Sequence, residues 1–258
     1  MQLYTVHQTF LPPDTLKPFV RSLTINHGEN AGDVTRLPDT GIVMNFRYSG
    51  KVSYVDNGTL KSLKSISITG LNDRARTFRY SNNTSIVSVV FSDTGAATFF
   101  KCSMHMLFAQ CYSLEDFTSG WHKENIVRRL RDAKTDTDRV QVIEDVLMSR
   151  LERKINDELI ASAVELIKQY AGNIKITMLT EKLNISQSQL EKRFRRIVGA
   201  SPKKFASLAR LRYVICLAPN EPSMTRLGLE AGYYDQAHFI KGFKSLTGTT
   251  PYRYFKGK

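Results

Sequence analysis

The carboxyl end of the chain repeats itself. Ser186-Gln-Ser-Gln-Leu-Glu-Lys-Arg-Phe-Arg-Arg-Ile-Val-Gly-Ala-Ser-Pro-Lys-Lys-Phe205 aligns, 49 positions on, with Asp235-Gln-Ala-His-Phe-Ile-Lys-Gly-Phe-Lys-Ser-Leu-Thr-Gly-Thr-Thr-Pro-Tyr-Arg-Tyr254. Five of the 20 pairs are identical: Gln187/Gln236, Lys192/Lys241, Phe194/Phe243, Gly199/Gly248 and Pro202/Pro251. A fixed offset of this kind restricts the region to two copies of one supersecondary unit.

The aligned positions predict what the unit is. Ser186 and Asp235 suit a helix N-cap, where a short side-chain oxygen accepts from an unsatisfied amide of the first turn. Leu190, Phe194 and Ile197 recur at i, i+4 and i+7, as do Phe239, Phe243 and Leu246, which makes one buried stripe per helix. Gly199 and Gly248 suit the left-handed position that ends a helix, and Ser201-Pro202 and Thr250-Pro251 supply a cap and an N1 proline for the next one. Shorter amphipathic helices precede each unit, at 176–183 and 223–231, across the turns Asn184-Ile185 and Gly232-Tyr233-Tyr234. The reading is two helix-turn-helix motifs, at 176–198 and 223–247, spaced by a connecting helix at 202–218.

The faces off the stripes carry the chemistry. They present Gln187, Ser188, Glu191, Lys192, Arg195 and Arg196 in the first unit, and Gln236, Ala237, Ile240, Lys241 and Lys244 in the second. Gln and Lys read base edges, small side chains approach a thymine methyl, and Arg or Lys near a helix end holds phosphate. An ordinary solvated face accounts for any one of these residues but poorly for the same face twice.

Charge concentrates in the same region. Of a formal net charge of +13, residues 157–258 hold 17 basic and 8 acidic side chains, whereas residues 1–120 hold 11 and 9, and residues 121–156 hold 9 and 7. A surplus confined to one domain is the electrostatic footprint of a phosphate-backbone binder. Double-stranded DNA is the expected partner.

The remainder reads as an α+β, two-domain chain. Residues 1–120 form a β-rich sensor or regulatory domain, an antiparallel sandwich or small barrel. Its strands are expected at 3–10, 19–26, 42–48, 52–55, 65–69, 77–80 and 86–91. Asp56-Asn57-Gly58 marks a tight hairpin between two of them. Helices follow at 96–112, 121–133 and 136–154. Residues 121–156 are a helical linker whose stripe of Val140, Ile143, Leu147 and Leu151 must be covered, either by its own domain or by a second subunit. A homodimer contact is the expectation.

The motifs themselves are familiar. Thr225-Arg-Leu-Gly-Leu-Glu-Ala-Gly-Tyr-Tyr-Asp-Gln-Ala-His-Phe-Ile-Lys-Gly-Phe-Lys244, closing with Gly-Thr-Thr-Pro251, resembles the second-motif signature of the AraC/XylS family of bacterial transcription regulators, and 183–202 resembles the first. The resemblance covers about 100 residues. It implies an all-α domain whose two recognition helices enter successive major grooves on one face of DNA. It further implies base contacts at Ser188, Glu191 and Lys192, and at Gln236, Ala237 and Lys241. Activation is the family habit, with RNA polymerase as a partner in that case. Two positions depart from the pattern: Phe255 stands where a terminal arginine is usual, and Gly228 replaces an alanine, which should weaken its helix by up to about 1 kcal/mol. The β-rich half resembles the family's sensor half only through short turn-like fragments, so a small-molecule effector or a second subunit is expected there and no ligand residue is named.

Other classes fare less well. The amino terminus lacks a basic leader with an apolar run, no stretch of about 18 apolar residues occurs, and three scattered cysteines fit a reducing compartment, so a cytoplasmic, non-membrane protein is expected. The sequence holds no Gly-x-Ser-x-Gly elbow, phosphate loop or His-Glu-x-x-His, and catalysis is not expected. Cys102, His105 and Cys111 are the one set worth testing as a metal site, because Cys102 and His105 would share a helical face; buried packing is the simpler reading, and no metal or cofactor is assigned. His7, His27 and His122 lack partners at ligand spacing. A metal-binding or catalytic sensor, with DNA binding secondary, is the alternative.

Overall fold

The computed structural model describes residues 6–56, 58–117, 121, 123–151, 157–221 and 223–256. Among these, the strands are β1 (Val6–Phe10), β2 (Val20–Gly28), β3 (Gly32–Arg36), β4 (Val43–Ser49), β5 (Val52–Asp56), β6 (Thr59–Leu63), β7 (Ile66–Thr69), β8 (Arg76–Tyr80), β9 (Thr84–Phe91) and β10 (Cys111–Ser113). They build two antiparallel sheets, one ordered β1-β2-β9-β4-β7-β10 and the other β3-β8-β5-β6. The β-rich half is therefore a two-sheet structure, as its alternating pattern predicts. Period-two alternation in the larger sheet sends Leu23, Ile25, Met44, Phe46, Ile68, Val87 and Val89 to one face, where each is fully buried.

That face is covered from within the chain. Helices α1 (Leu114–Phe117), α2 (Lys123–Asp132) and α3 (Asp136–Met148) follow β10. A capping box between Thr135 and Asp138 starts α3. Val140, Ile143, Val146 and Leu147 of α3 are buried, and Leu151 is half-buried. Arg131 donates to the Tyr48 carbonyl at 3.0 Å, and His27 pairs with Asp136 at 3.0 Å. The apolar stripe of α3 is thus used up inside its own subunit, which corrects the expectation that it forms a dimer seam.

Three local expectations are also corrected. The segment 96–112 is not a helix: two 3-10 turns, Gly95–Thr98 and Met104–Leu107, lead into β10, whose backbone pairs with β7 and completes the sheet edge. Strand pairing there outweighs the helical periodicity. β6, the partner of β5, has exposed side chains at four of its five positions and leaves little hydrophobic signal. The hairpin between them keeps Gly58 at φ +81°, while Asn57 lies outside the described residues. Third, α3 ends at Met148, short of 154, and positions 152–156 are also outside the described set.

The carboxyl-terminal half contains α4 (Glu158–Gln169), α5 (Ile176–Leu183), α6 (Gln187–Val198), α7 (Pro202–Leu217), α8 (Met224–Glu230), α9 (Gln236–Thr247) and α10 (Pro251–Lys256). Its core is continuous with that of the β half: a single buried cluster runs from Leu16 through Met104 and Leu107 to Phe194, Phe205 and Leu246. The 3-10 turns 95–98 and 104–107 lie directly on α6. Polar ties flank this seam. Arg212 meets Asp39 at 3.3 Å, Lys168 meets Asp93 at 3.3 Å, and the 70–75 loop between the sheets binds twice, through Asp73 to Lys204 at 3.5 Å and through the Ala75 amide to the Leu246 carbonyl at 2.8 Å.

Met104 is fully buried in that seam. Truncation by Met104→Ala should therefore cost about 2–5 kcal/mol and lower the unfolding of both halves together. Denaturant titration followed by Trp121 fluorescence and by helical circular dichroism checks it. A shift in only one of the two signals would mean that the halves unfold independently.

Candidate nucleic-acid interface

The repeat folds as two copies of one device. α5 ends at Asn184 with φ +48°, and α6 starts on Ser186, whose Oγ accepts from the Gln189 amide at 3.3 Å. α8 is followed by Gly232 with φ +76°, and α9 starts on Asp235, whose carboxylate accepts from the His238 amide at 2.7 Å. Both second helices run for 12 residues and stop at a left-handed glycine, Gly199 at φ +96° and Gly248 at φ +77°. Ser201 caps α7 on the Lys204 amide at 3.2 Å. α7 then holds the copies apart along 16 residues, a rod of about 24 Å.

The stripes are buried in both copies: Leu190, Phe194 and Ile197, and Phe239, Phe243 and Leu246. What they leave outward is the expected face. Gln187, Ser188 and Lys192 are exposed on α6, and Gln236, Ala237, Ile240, Lys241 and Lys244 are exposed on α9. Among the described residues, Lys192, Lys241 and Lys244 enter no ion pair. Their charge is directed at solvent.

Three α6 residues are held differently. Glu191 and Arg195 are half-buried and 3.8 Å apart. Arg195 Nη1 also lies 3.3 Å from His105 Nε2, and His105 Nδ1 lies 3.2 Å from the Gly199 carbonyl. That carbonyl can only accept and the guanidinium can only donate, so a neutral ring carrying its proton on Nδ1 satisfies both contacts. Arg196 leans toward Asp157 at 3.9 Å.

Asp157 is a site the sequence reading missed. Its carboxylate is almost fully buried, caps α4 on the Ile160 amide, and takes a two-pronged contact from Arg193 at 2.5 and 3.1 Å. The carboxylate raises the Arg193 pKa through this hydrogen bond. Arg193 is thereby structural, fastening the recognition helix to the start of α4. Its position between stripe and outer face was the available signal.

Both departures from the family pattern acquire a packing role. Phe255 lies 5.6 Å from the Phe243 ring and 5.0 Å from Tyr254, extending the core under α9 where an arginine would be solvated. Gly228 sits against Phe239: a β-carbon added there would stand 3.0 Å from three of its side-chain atoms. Tyr233 and Phe243 flank that ring, so it has little room to yield.

The suspected metal set is not assembled. Cys111 faces Thr69 at 3.2 Å, the His105 ring is engaged by α6, and no helix joins Cys102 to His105. Among the described residues, no three His, Cys, Asp or Glu side chains gather in a ligand cluster, and no helix is long and apolar enough to cross a membrane. Trp121 is buried against Phe100 at 5.9 Å, with Arg150 4.2 Å above its face. His122 lies outside the described residues.

These features define a tandem helix-turn-helix domain, and residues 179–257 match the family model described as a helix-turn-helix domain. The carboxyl-terminal domain is of the AraC/XylS type. An uncharacterized HTH-type transcriptional regulator of Haemophilus influenzae is 29% identical over 112 residues, 43% of this chain and 36% of that protein. The HTH-type transcriptional regulator MtrA of Neisseria gonorrhoeae is 33% identical over 82 residues, 31% of this chain and 27% of its own length. The chain spans about a third of the length of the curated relatives it matches. A solved structure of ToxT from Vibrio cholerae is 15% identical, covers 91% of this chain and 97% of its own, and has a TM-score of 0.48.

Gly228→Ala should remove stability, by about 1–2 kcal/mol, instead of adding the helix-propensity gain of up to about 1 kcal/mol that an open site would return. Thermal unfolding of the two proteins decides the sign.

Proposed function

We propose that the protein is a sequence-specific DNA-binding transcription regulator, an activator and not an enzyme, which reads two successive major grooves with α6 and α9. One observation carries this reading: the same capped 12-residue helix occurs twice on one scaffold, burying the same stripe and presenting Gln and Lys at equivalent outward positions. The regulator names of the relatives support it.

In this reading Gln187, Ser188, Glu191 and Lys192, with Gln236, Ala237, Ile240 and Lys241, meet base edges, while Arg195, Arg196 and Lys244 meet phosphates. Arg195 leaves His105 to do so. The β half takes up an effector or a partner and biases how the two motifs meet DNA, in the cytoplasm, with RNA polymerase as the activator's target. A homodimer would use a surface other than the buried stripe of α3.

Selection of bound sequences from a random pool, followed by footprinting, should give two protected patches on one DNA face about one helical turn apart. Lys192→Ala and Lys241→Ala should each cost about 1–3 kcal/mol on the selected site and far less on random DNA. Arg195→Ala should weaken all DNA alike and reduce the salt slope by about 1. Equal losses on selected and random DNA for both lysines would remove the base-reading assignment.

A further inference from the structure

The two copies of the helix-turn-helix unit differ at their terminal glycines. A β-carbon added at Gly199 would stand 3.0 Å from the Met104 carbonyl oxygen, whereas one added at Gly248 would meet nothing within 4 Å. The cationic residue one turn earlier follows the same division. Arg195 of α6 lies 3.3 Å from His105 of the β half, while Lys244, its counterpart on α9, enters no ion pair among the described residues.

The restraint on Arg195 turns on one nitrogen. His105 presents Nδ1 to the Gly199 carbonyl at 3.2 Å and Nε2 to the Arg195 guanidinium at 3.3 Å. The carbonyl requires an N–H, so the neutral ring keeps its proton on Nδ1 and offers Nε2 as the acceptor. A second proton leaves the first contact intact and inverts the other. Nε2 then becomes a donor, and two cations face each other. The Phe108 ring lies against that of His105, with centroids 5.9 Å apart, so the imidazole plane is supported from its own segment.

The other charges around this ring are few. On α6, Glu191 lies behind Arg195 at 3.8 Å. The 3-10 turn Gly95–Thr98, which also packs on α6, carries no titratable side chain. In the segment of His105 itself, Lys101 and Cys102 make no hydrogen bond or ion pair with the ring among the described residues. Beyond Gly199, the first turn of α7 holds Lys203, which is exposed, and Lys204, which pairs with Asp73 at 3.5 Å. Arg195 is thus the charged group in contact with Nε2, and histidine is the side chain whose charge changes between about pH 5 and 8.

We propose that His105 is a positioning residue for DNA binding: its neutral ring holds Arg195 off the phosphates, and its protonation releases Arg195, so that affinity for DNA rises as the pH falls. The inference rests on the regulator reading above, in which Arg195 meets phosphate. The device is local, because the protonated ring still donates from Nδ1 to Gly199 and the seam keeps that tie.

The test uses the full chain and a labelled duplex of random sequence, which reads a phosphate contact without any specific site, at about pH 6 and pH 8 and constant ionic strength. At pH 6 the native chain should bind about fivefold more tightly than His105→Gln, which keeps an acceptor but takes up no proton; at pH 8 the two should bind alike. His105→Ala, which removes the acceptor, should bind at pH 8 about as the native chain does at pH 6. The salt slope of the native chain should be steeper by about 1 at pH 6 than at pH 8, and Arg195→Ala should abolish that difference. His238 of α9 is present in every one of these chains, so its own response cancels from the comparison.

A His105→Gln chain with the native pH response overturns the proposal. So does a response that survives Arg195→Ala, which would mean that the charge of His105 attracts DNA directly. Thermal unfolding at both pH values establishes that each variant is folded, and Arg195→Ala reads the same contact from its other side should a His105 variant fail to fold. Failure to bind the duplex at either pH removes the regulator reading and this inference with it, whereas binding without a His105-dependent response removes this inference alone.

Discussion

The structure depends on an apolar seam between a helix that faces outward and a sheet structure that does not. Phe194 and Ile197 turn their side chains away from the outer face of α6, and the cluster they join includes Met104 and Leu107 of the β half. One stripe thus does two tasks: it closes the core of the first helix-turn-helix motif and continues into the core of the β half. Close packing makes such a seam stiff, since an interior at crystal-like density tolerates little change of volume. Gly199 belongs to it as well. Its carbonyl accepts the His105 contact, and a β-carbon there would stand 3.0 Å from the Met104 carbonyl oxygen.

Much of the carboxyl-terminal half was legible because its signals are local. A cap, a stripe and a terminal glycine are each read within one helix, and repetition at 49 positions checks every one of them a second time. Ser186 and Asp235 cap as the sequence predicts, and both glycines adopt positive φ. The side chains on α6 were less legible. That Arg195 reaches His105, and Arg196 Asp157, depends on elements 90 and 39 positions away, which no local pattern encodes.

The β half was legible in outline and not in detail. Buried strands such as β2, β4 and β9 announce themselves, whereas β3 and β6 are edge strands with exposed side chains and carry little pattern. The 96–112 segment misled because its apolar residues fill gaps in a core assembled from distant strands, so their spacing follows the cavity they fill and not a helical period. A polar row on the second face of the larger sheet, where strand register sets Thr24 opposite Ser88, Ser88 opposite Asn45 and Asn45 opposite Ser67, was present in the sequence only as separate residues. Only the register of four strands turns those separate residues into a surface.

The 70–75 loop has a consequence for geometry. It touches the start of α7 through Asp73 and Lys204, and the end of α9 through Ala75 and Leu246, while Gly70 and Asn72 border a cavity between the sheets. The spacing of α6 and α9 is therefore set by two fastenings, α7 within the carboxyl-terminal half and this loop outside it. A rod held at one point can swing, but one held at two points has a fixed pitch. Removing the amino-terminal half would leave α7 intact and still free the second unit to pivot about it, so the separation of α6 and α9 is a property of the whole chain.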